Sequence, residues 1–176
     1  MNKYKQALHE SMLELAKDER TIFLGQQCLP EDFYGTLKDI PEEKRIEMPV
    51  AEEMQLGMSI GMSLEGYLPI SIYQRMDFLP RACDQLVNHL DILEEVSQGV
   101  FSPHVIIRTT VGTTEPLDTG LQHSKNLVEG FRKLFRNMSV LEVKTPEEVK
   151  QAYKFAKEHK KPIMIVEFQE LYHKED

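Results

Sequence analysis

The chain has 176 residues, 41% of them apolar and 28% charged, which is enough for one domain with a real core and at most a small appendage. A formal net charge of -8 argues against nucleic acid or an anionic membrane as the main partner, because both require a basic face. No stretch approaches the ~20 apolar residues of a membrane span, and the N-terminus has no signal-peptide pattern. The two cysteines, Cys28 and Cys83, lie far apart and outside any CxxC pair, so they read as reduced thiols of a cytoplasmic protein.

In chain order, Tyr4, Ala7, Leu8, Met12, Leu15 and Ala16 fall on one face at helical spacing. Thr21 to Gly25 reads as a short buried strand closed by glycine. Gln26 to Arg45 is polar and contains proline, and a connection of that length in a compact domain is often functional. Ile46 to Val50 suits another short strand, followed by a helix that begins at the adjacent acids Glu52 and Glu53. Leu68 to Tyr73 is a strand. From Leu79 to Ser97 the apolar positions Ala82, Cys83, Leu86, Val87, Leu90, Leu93 and Val96 predict one helix. His104 to Thr109 has strand length and composition. A second loop, Thr110 to Gln122, carries Gly112, Pro116 and Gly120, and a helix over Ser124 to Phe135 and a strand over Ser139 to Val143 follow it. Thr145-Pro146-Glu147-Glu148 is a capping box with proline at the first helical position. Ile163 to Phe168 is the last strand. Strands alternate with helices, and several strands are continuous apolar runs. The pattern implies an α/β three-layer sandwich: a mostly parallel sheet buried on both faces, in one domain over residues 1–176. In such sheets, sites lie beyond the carboxyl ends of the strands, where both long loops and the Glu52 helix begin.

Residue chemistry alone is less specific. Gly57 and Gly61 lie four apart on one face of the Glu52 helix, and glycine costs about 1 kcal/mol per helical position relative to alanine, so the pair suggests close packing. A carboxylate at the edge of such packing would be desolvated and have a raised pKa. Acids also favour helix N-termini through the macrodipole, and on chemistry alone the better expectation is that both glutamates face water. His123, before a helix and after a glycine-bearing loop, could transfer protons near neutral pH, or could be a solvated loop residue beside a Ser124 cap. Phe78 suits core packing more than a stacking platform. The histidines show no metal spacing, and there is no P-loop, GxGxxG or GxSxG to support phosphate binding or serine hydrolysis.

Several stretches taken together resemble a known family. MPVAEEMQLGMSIGMSLEGYLPI, with Pro49, Val50, Ala51, Glu52, Gly57, Gly61, Gly66 and Pro69, resembles the beta subunit of thiamine-diphosphate-dependent 2-oxo-acid dehydrogenases. It also resembles the matching pyrimidine-binding domains of transketolase and deoxyxylulose-phosphate synthase. DFLPRACDQLVNH, with Phe78, Asp84, Gln85 and Asn88, resembles the segment that follows in that family, as do HVIIRTTVG with Arg108 and Gly112, LQHSKN with Gln122, His123 and Ser124, and the closing helix and strand. The series is in order and spans nearly the whole chain.

The resemblance implies that Glu52 hydrogen-bonds a ring nitrogen of the cofactor's aminopyrimidine and thereby activates the thiazolium carbon. That role needs a carboxyl group in a dry site. It further implies that Phe78 stacks on the pyrimidine, that Gln74 and Val50 line its pocket, and that His123 faces the substrate as an acid, a base or an oxyanion donor. The family's Gly-Asp-Gly motif, which holds diphosphate and magnesium, is missing from this sequence. The thiamine diphosphate site would therefore be completed by a diphosphate-binding, alpha-like partner, with a homodimer of this chain inside a heterotetramer. The substrate would be a 2-oxo acid or ketose. The alternative is a non-catalytic binding or scaffold module derived from such an enzyme.

Overall fold

A computed structural model of the chain describes residues 2–115, 118 and 120–174; Pro116, expected in the second long loop, lies outside them. The core is one sheet of six strands: β1 (Thr21–Gly25), β2 (Arg45–Glu47), β3 (Leu68–Tyr73), β4 (Ile106–Val111), β5 (Ser139–Glu142) and β6 (Ile163–Phe168). They lie in the order β2-β1-β3-β4-β6-β5, and every neighbouring pair is parallel. β3, β4 and β6 are buried along their whole length. Helices cover both faces, which is why these strands read as unbroken apolar runs and not as alternation.

On one face α1 (Lys3–Ala16) and α6 (Pro146–His159) pack together over Phe23, Ile70, Ile72, Ile106 and Ile165. Both helices start on a side-chain cap, the second of them the box that the sequence marks. Asn2 Oδ1 accepts from Lys5 N at 2.9 Å to start α1, and Thr145 and Glu148 form the reciprocal capping box of α6. This face also buries an ion pair between Arg108 and Glu167. The other face carries α3 (Glu52–Leu64) and α5 (Val128–Leu134), with Leu56, Leu79, Leu86 and Phe131 packed on Ile107 and Val166. Two short turns, α2 (Asp32–Gly35) and a 3-10 turn, Glu42–Lys44, interrupt the first long loop.

Several expected boundaries move. The strand expected over His104 to Thr109 runs Ile106–Val111, so Thr110 and Val111 belong to the sheet and not to the second loop. β2 stops at Glu47 and does not reach Val50, because Pro49 has no amide hydrogen to give to a ladder. The helix expected over Leu79 to Ser97 is broken into a tight 3-10 turn, Met76–Ala82, a wider turn, Gln85–Leu90, and a short α4 (Leu93–Val96). Pro80 sits inside the first turn, where a continuous α-helix would require its missing N–H. Ala82, Leu86 and Leu90 are buried as expected, but Val96 is exposed. The helix expected from Ser124 begins at Val128. The amides before it are taken by side chains instead: Lys125 N donates to Asp77 Oδ1 at 3.0 Å and Val128 N to Asn126 Oδ1 at 3.0 Å.

From β1 the chain leaves for β2 on one side of the sheet, while β3 and everything after it lie on the other. β1 and β3 stay paired to Gly25 and Ile72, but the connections that leave their carboxyl ends run in opposite directions along the sheet, and the crevice between them is where an open parallel sheet places its ligands. Gly25 makes the junction possible: a Cβ there would sit 2.4 Å from the Ile72 carbonyl oxygen of β3.

Candidate active site

Glu52 opens α3 at the carboxyl edge of the sheet, and the structure separates it from Glu53. Glu53 is exposed; Glu52 is 4% exposed. The expectation from residue chemistry alone, that both acids face water, is therefore corrected for Glu52. A buried polar ladder fixes the helix beneath it. Gln55 Nε2 reaches the Leu24 and Ile72 carbonyls at 3.3 and 2.9 Å, tying α3 to both β1 and β3. Ser59 Oγ donates to the Gln55 carbonyl at 2.9 Å and lies 3.0 Å from Ser71 Oγ, which in turn lies 3.1 Å from Tyr73 Oη. Burial, then the charge of Glu52, pushes the Tyr73 phenol well above its usual pKa, so it stays a neutral hydroxyl. These small polar residues carry no sequence signal of their own, because they stand at positions whose periodicity says only that they are buried.

The Glu52 carboxylate accepts from Arg81 Nε at 2.9 Å. Both residues line an open groove of about 650 Å³ together with Val50, Met54, Gly57 and Gln85. Arg81 belongs to the tight turn after β3, and so does Phe78, whose ring meets that of His123 edge-on at 5.5 Å. The same short segment therefore links the acid to the histidine.

His123 itself is held by its backbone. Arg75 Nη1 donates to its carbonyl at 3.2 Å, and a Cβ on Gly112 would lie 1.7 Å from that carbonyl oxygen. Only glycine at 112 lets the loop close this tightly. Asp77 fastens the next turn through Lys125 N. Gln74, at the end of β3, donates to the Tyr34 hydroxyl, which also accepts from Gln169 Nε2 at 3.2 Å. Tyr34 reaches that point from a turn in which Asp32, Phe33 and Tyr34 all have positive φ, a conformation that non-glycine residues adopt only under constraint. Gln74 is thus tied into the crevice where the loops after β1, β3 and β6 meet, and the structure shows no bond from it to Glu52.

Val50, 68% exposed, stands at one end of an apolar stripe that continues through Met54, Met58 and Leu64 on the outer side of α3. The close packing expected at Gly57 and Gly61 is not made within this chain. A Cβ on Gly61 would meet nothing within 4 Å, and one on Gly57 would meet only Gln85 Oε1 at 3.9 Å. The glycines lie on a face open to the outside.

A second groove, about 720 Å³, runs between α1 and α6, but its charged walls already pair across it, Lys150 with Glu10 at 2.7 Å and Lys157 with Glu14 at 3.8 Å. Among the described residues no group of three or more His, Cys, Asp or Glu side chains could hold a metal ion, and no helix is long and apolar enough to cross a membrane.

The family model for the transketolase pyrimidine-binding domain matches residues 2–174. The chain belongs to that family. Curated relatives of this pyrimidine-binding-domain chain include pyruvate dehydrogenase E1 component subunit beta from Gracilaria tenuistipitata var. liui, 26% identical over 97% of this chain and 54% of the relative. A chloroplastic subunit beta-3 of the same component from Oryza sativa subsp. japonica is 27% identical over 95% of this chain and 44% of the relative. The chain thus spans about half the length of the curated relatives it matches. Among solved structures, a split gene transketolase described as an inactive beta4 tetramer superposes with a TM-score of 0.73 at 18% identity, covering 93% of this chain and 50% of that one. That likeness supports the parallel α/β sandwich.

Proposed function

We propose that this chain, as one domain over residues 1–176, is the pyrimidine-binding subunit of a two-chain thiamine-diphosphate enzyme acting on a 2-oxo acid or ketose donor. The observation that carries the reading is Glu52: a carboxylate withdrawn from water at the carboxyl edge of the sheet, lining an open groove, with Oε2 held and Oε1 accepting no hydrogen bond among the described residues. The fit to an aminopyrimidine is direct, because a heterocyclic nitrogen can share a proton with that second oxygen. Thiamine diphosphate supplies a carbon nucleophile for making or breaking bonds next to a carbonyl. Glu52 holds the proton at the ring nitrogen. Val50, from the lining of the same groove, and Phe78 and Gln74, from the turn and strand end beside it, would line the cofactor's ring pocket. His123 donates a hydrogen bond or a proton to the oxygen of the donor's reacting carbonyl.

Diphosphate and magnesium fall to a partner, since this sequence carries no phosphate-cradling glycine motif. The outward face of α3 supports such a partner. Val50, Met54, Met58 and Leu64 expose an apolar stripe whose glycines leave room for a close approach by another helix. Two copies of each chain would make a heterotetramer, and the soluble α/β sandwich is consistent with a cytoplasmic setting.

Coexpression with a candidate diphosphate-binding chain and the substitution Glu52→Gln test the reading. Cofactor-dependent turnover is expected to fall at least ~100-fold, the scale of a lost acid–base group, while the complex still forms. Full turnover in that variant would remove the role assigned to Glu52. A reconstituted complex that binds no thiamine diphosphate in calorimetry would point instead to a scaffold module.

A further inference from the structure

The two oxygens of Glu52 are not equivalent. Oε2 accepts from Arg81 Nε at 2.9 Å. Oε1 accepts no hydrogen bond among the described residues, yet it is not one of the sealed, unpartnered polar atoms of the core, so it remains reachable from the groove. The pair is also lopsided in exposure: the Arg81 side chain is 65% exposed while its acid is buried. An arginine held for fold stability would gain little from so wet a position, because the strength of an ion pair falls with solvent screening. Arg81 bonds through Nε, the nitrogen nearest its stem, and it rides on the turn that also carries Phe78. The donor thus reaches the acid from the turn that carries Phe78.

We propose that Arg81 is a positioning residue: it clamps Oε2 and leaves Oε1 as the single acceptor presented to the groove. The inference deepens the reading above and rests on it, since the group that Oε1 would meet is the ring nitrogen of an aminopyrimidine. The Nε–H of a planar guanidinium points in one direction within the plane of the group, toward a single carboxylate oxygen. A lysine ammonium would supply the charge without the direction.

The test uses the complex of this chain with its diphosphate-binding partner. Thiamine diphosphate is titrated by calorimetry into wild type, Arg81→Met, Arg81→Lys, Glu52→Gln and the Glu52→Gln/Arg81→Met double variant. Exchange of the thiazolium C–H for deuterium is followed in parallel by NMR after rapid quenching. Arg81→Met is expected to weaken cofactor binding about 10-fold and to slow the exchange by at least that factor, with the thermal midpoint unchanged. Arg81→Lys should recover only a minor part of both. In the Glu52→Gln background the arginine change should add less than about 2-fold, because the two residues act as one unit. Unchanged binding and exchange in Arg81→Met, or equal losses in both backgrounds, would overturn the proposal. Full recovery by lysine would reduce Arg81 to a charge and overturn it equally. A wild-type complex that binds no thiamine diphosphate would overturn the reading of the groove, and the inference with it.

Discussion

Glu167 and Glu52 are both buried glutamates at the carboxyl side of the same sheet, and the fold treats them in opposite ways. Glu167, fully buried on β6, accepts from Arg108 Nε and Nη2 at 2.8 and 3.0 Å and from the hydroxyls of Tyr153 and Tyr172. Every donor comes from this chain, and the Arg108 guanidinium lies 4.6 Å over the Phe33 ring. Burial alone would weaken the charge on Arg108, but Glu167 overrides it and pushes the guanidinium above its ordinary pKa. Burial, then the charge of Glu167, also drives Tyr153 and Tyr172 well above the usual phenol range, so both remain donors. Among the described residues the Glu52 carboxylate receives one donor, from an exposed side chain, and its other oxygen accepts none. A carboxylate that the chain itself saturates serves the fold. One that the chain leaves half satisfied, beside an open groove, is available to something outside it.

The largest loss is expected from Arg108→Met. It strands Glu167 in a dry core without its counter-ion, and unfolding in urea should show a loss of about 3–5 kcal/mol. A loss below ~1 kcal/mol would mean that the network is ornamental. Gly112→Ala comes next. Its Cβ would lie 1.7 Å from the His123 carbonyl oxygen, so the loop must shift, at a cost of about 1–3 kcal/mol. NMR of the His123 imidazole should report a changed environment, and an unaltered signal would contradict the clasp. Glu52→Gln, in contrast to the change at Arg108, should move stability by less than ~1 kcal/mol even though it removes the proposed chemistry, because only one screened hydrogen bond is altered.

The smallest effect is expected at Asp18, which belongs to neither class. The Arg20 side chain hydrogen-bonds its carboxylate and holds its pKa down at about 2, against an ordinary 3.8. A depressed pKa stabilises the fold above the ordinary value and loses that contribution as pH falls from about 4 to 2. Since Arg20 is mostly exposed, the loss should stay under ~1 kcal/mol, read as the difference in acid unfolding between wild type and Asp18→Asn.

Much of the fold was legible in particular residues. The apolar runs Leu68 to Tyr73 and Ile163 to Phe168 are strands with the expected bounds, and Thr145 and Glu148 cap α6 as their spacing requires. The segment after Leu79 reads as one helix and folds as three pieces. Its helical periodicity is real, since Ala82, Leu86 and Leu90 are buried, but Pro80 and the wide turn after it break one helix into three pieces. The candidate site was named by resemblance and not from the chemistry of its residues. Glu52, Phe78 and His123 could be picked out by their resemblance to a family pattern. Arg81, Arg75, Asp77 and the Gln55–Ser59–Ser71–Tyr73 ladder could not, because each acts through a partner distant in sequence.

By itself the sequence determined the class of fold and the order of its elements. Hydrophobic period, caps and turn residues are local, and local signals survive without a structure. Only the tertiary structure decided which of two adjacent glutamates is buried. Helix-start chemistry treats Glu52 and Glu53 alike, whereas a rotation of ~100° per residue turns one toward the sheet and Arg81 and the other toward water. The glycines show the same division. Their spacing indicated a face made for close approach, and the fold turned that face outward, where among the described residues only Gln85 Oε1 comes within 4 Å of it.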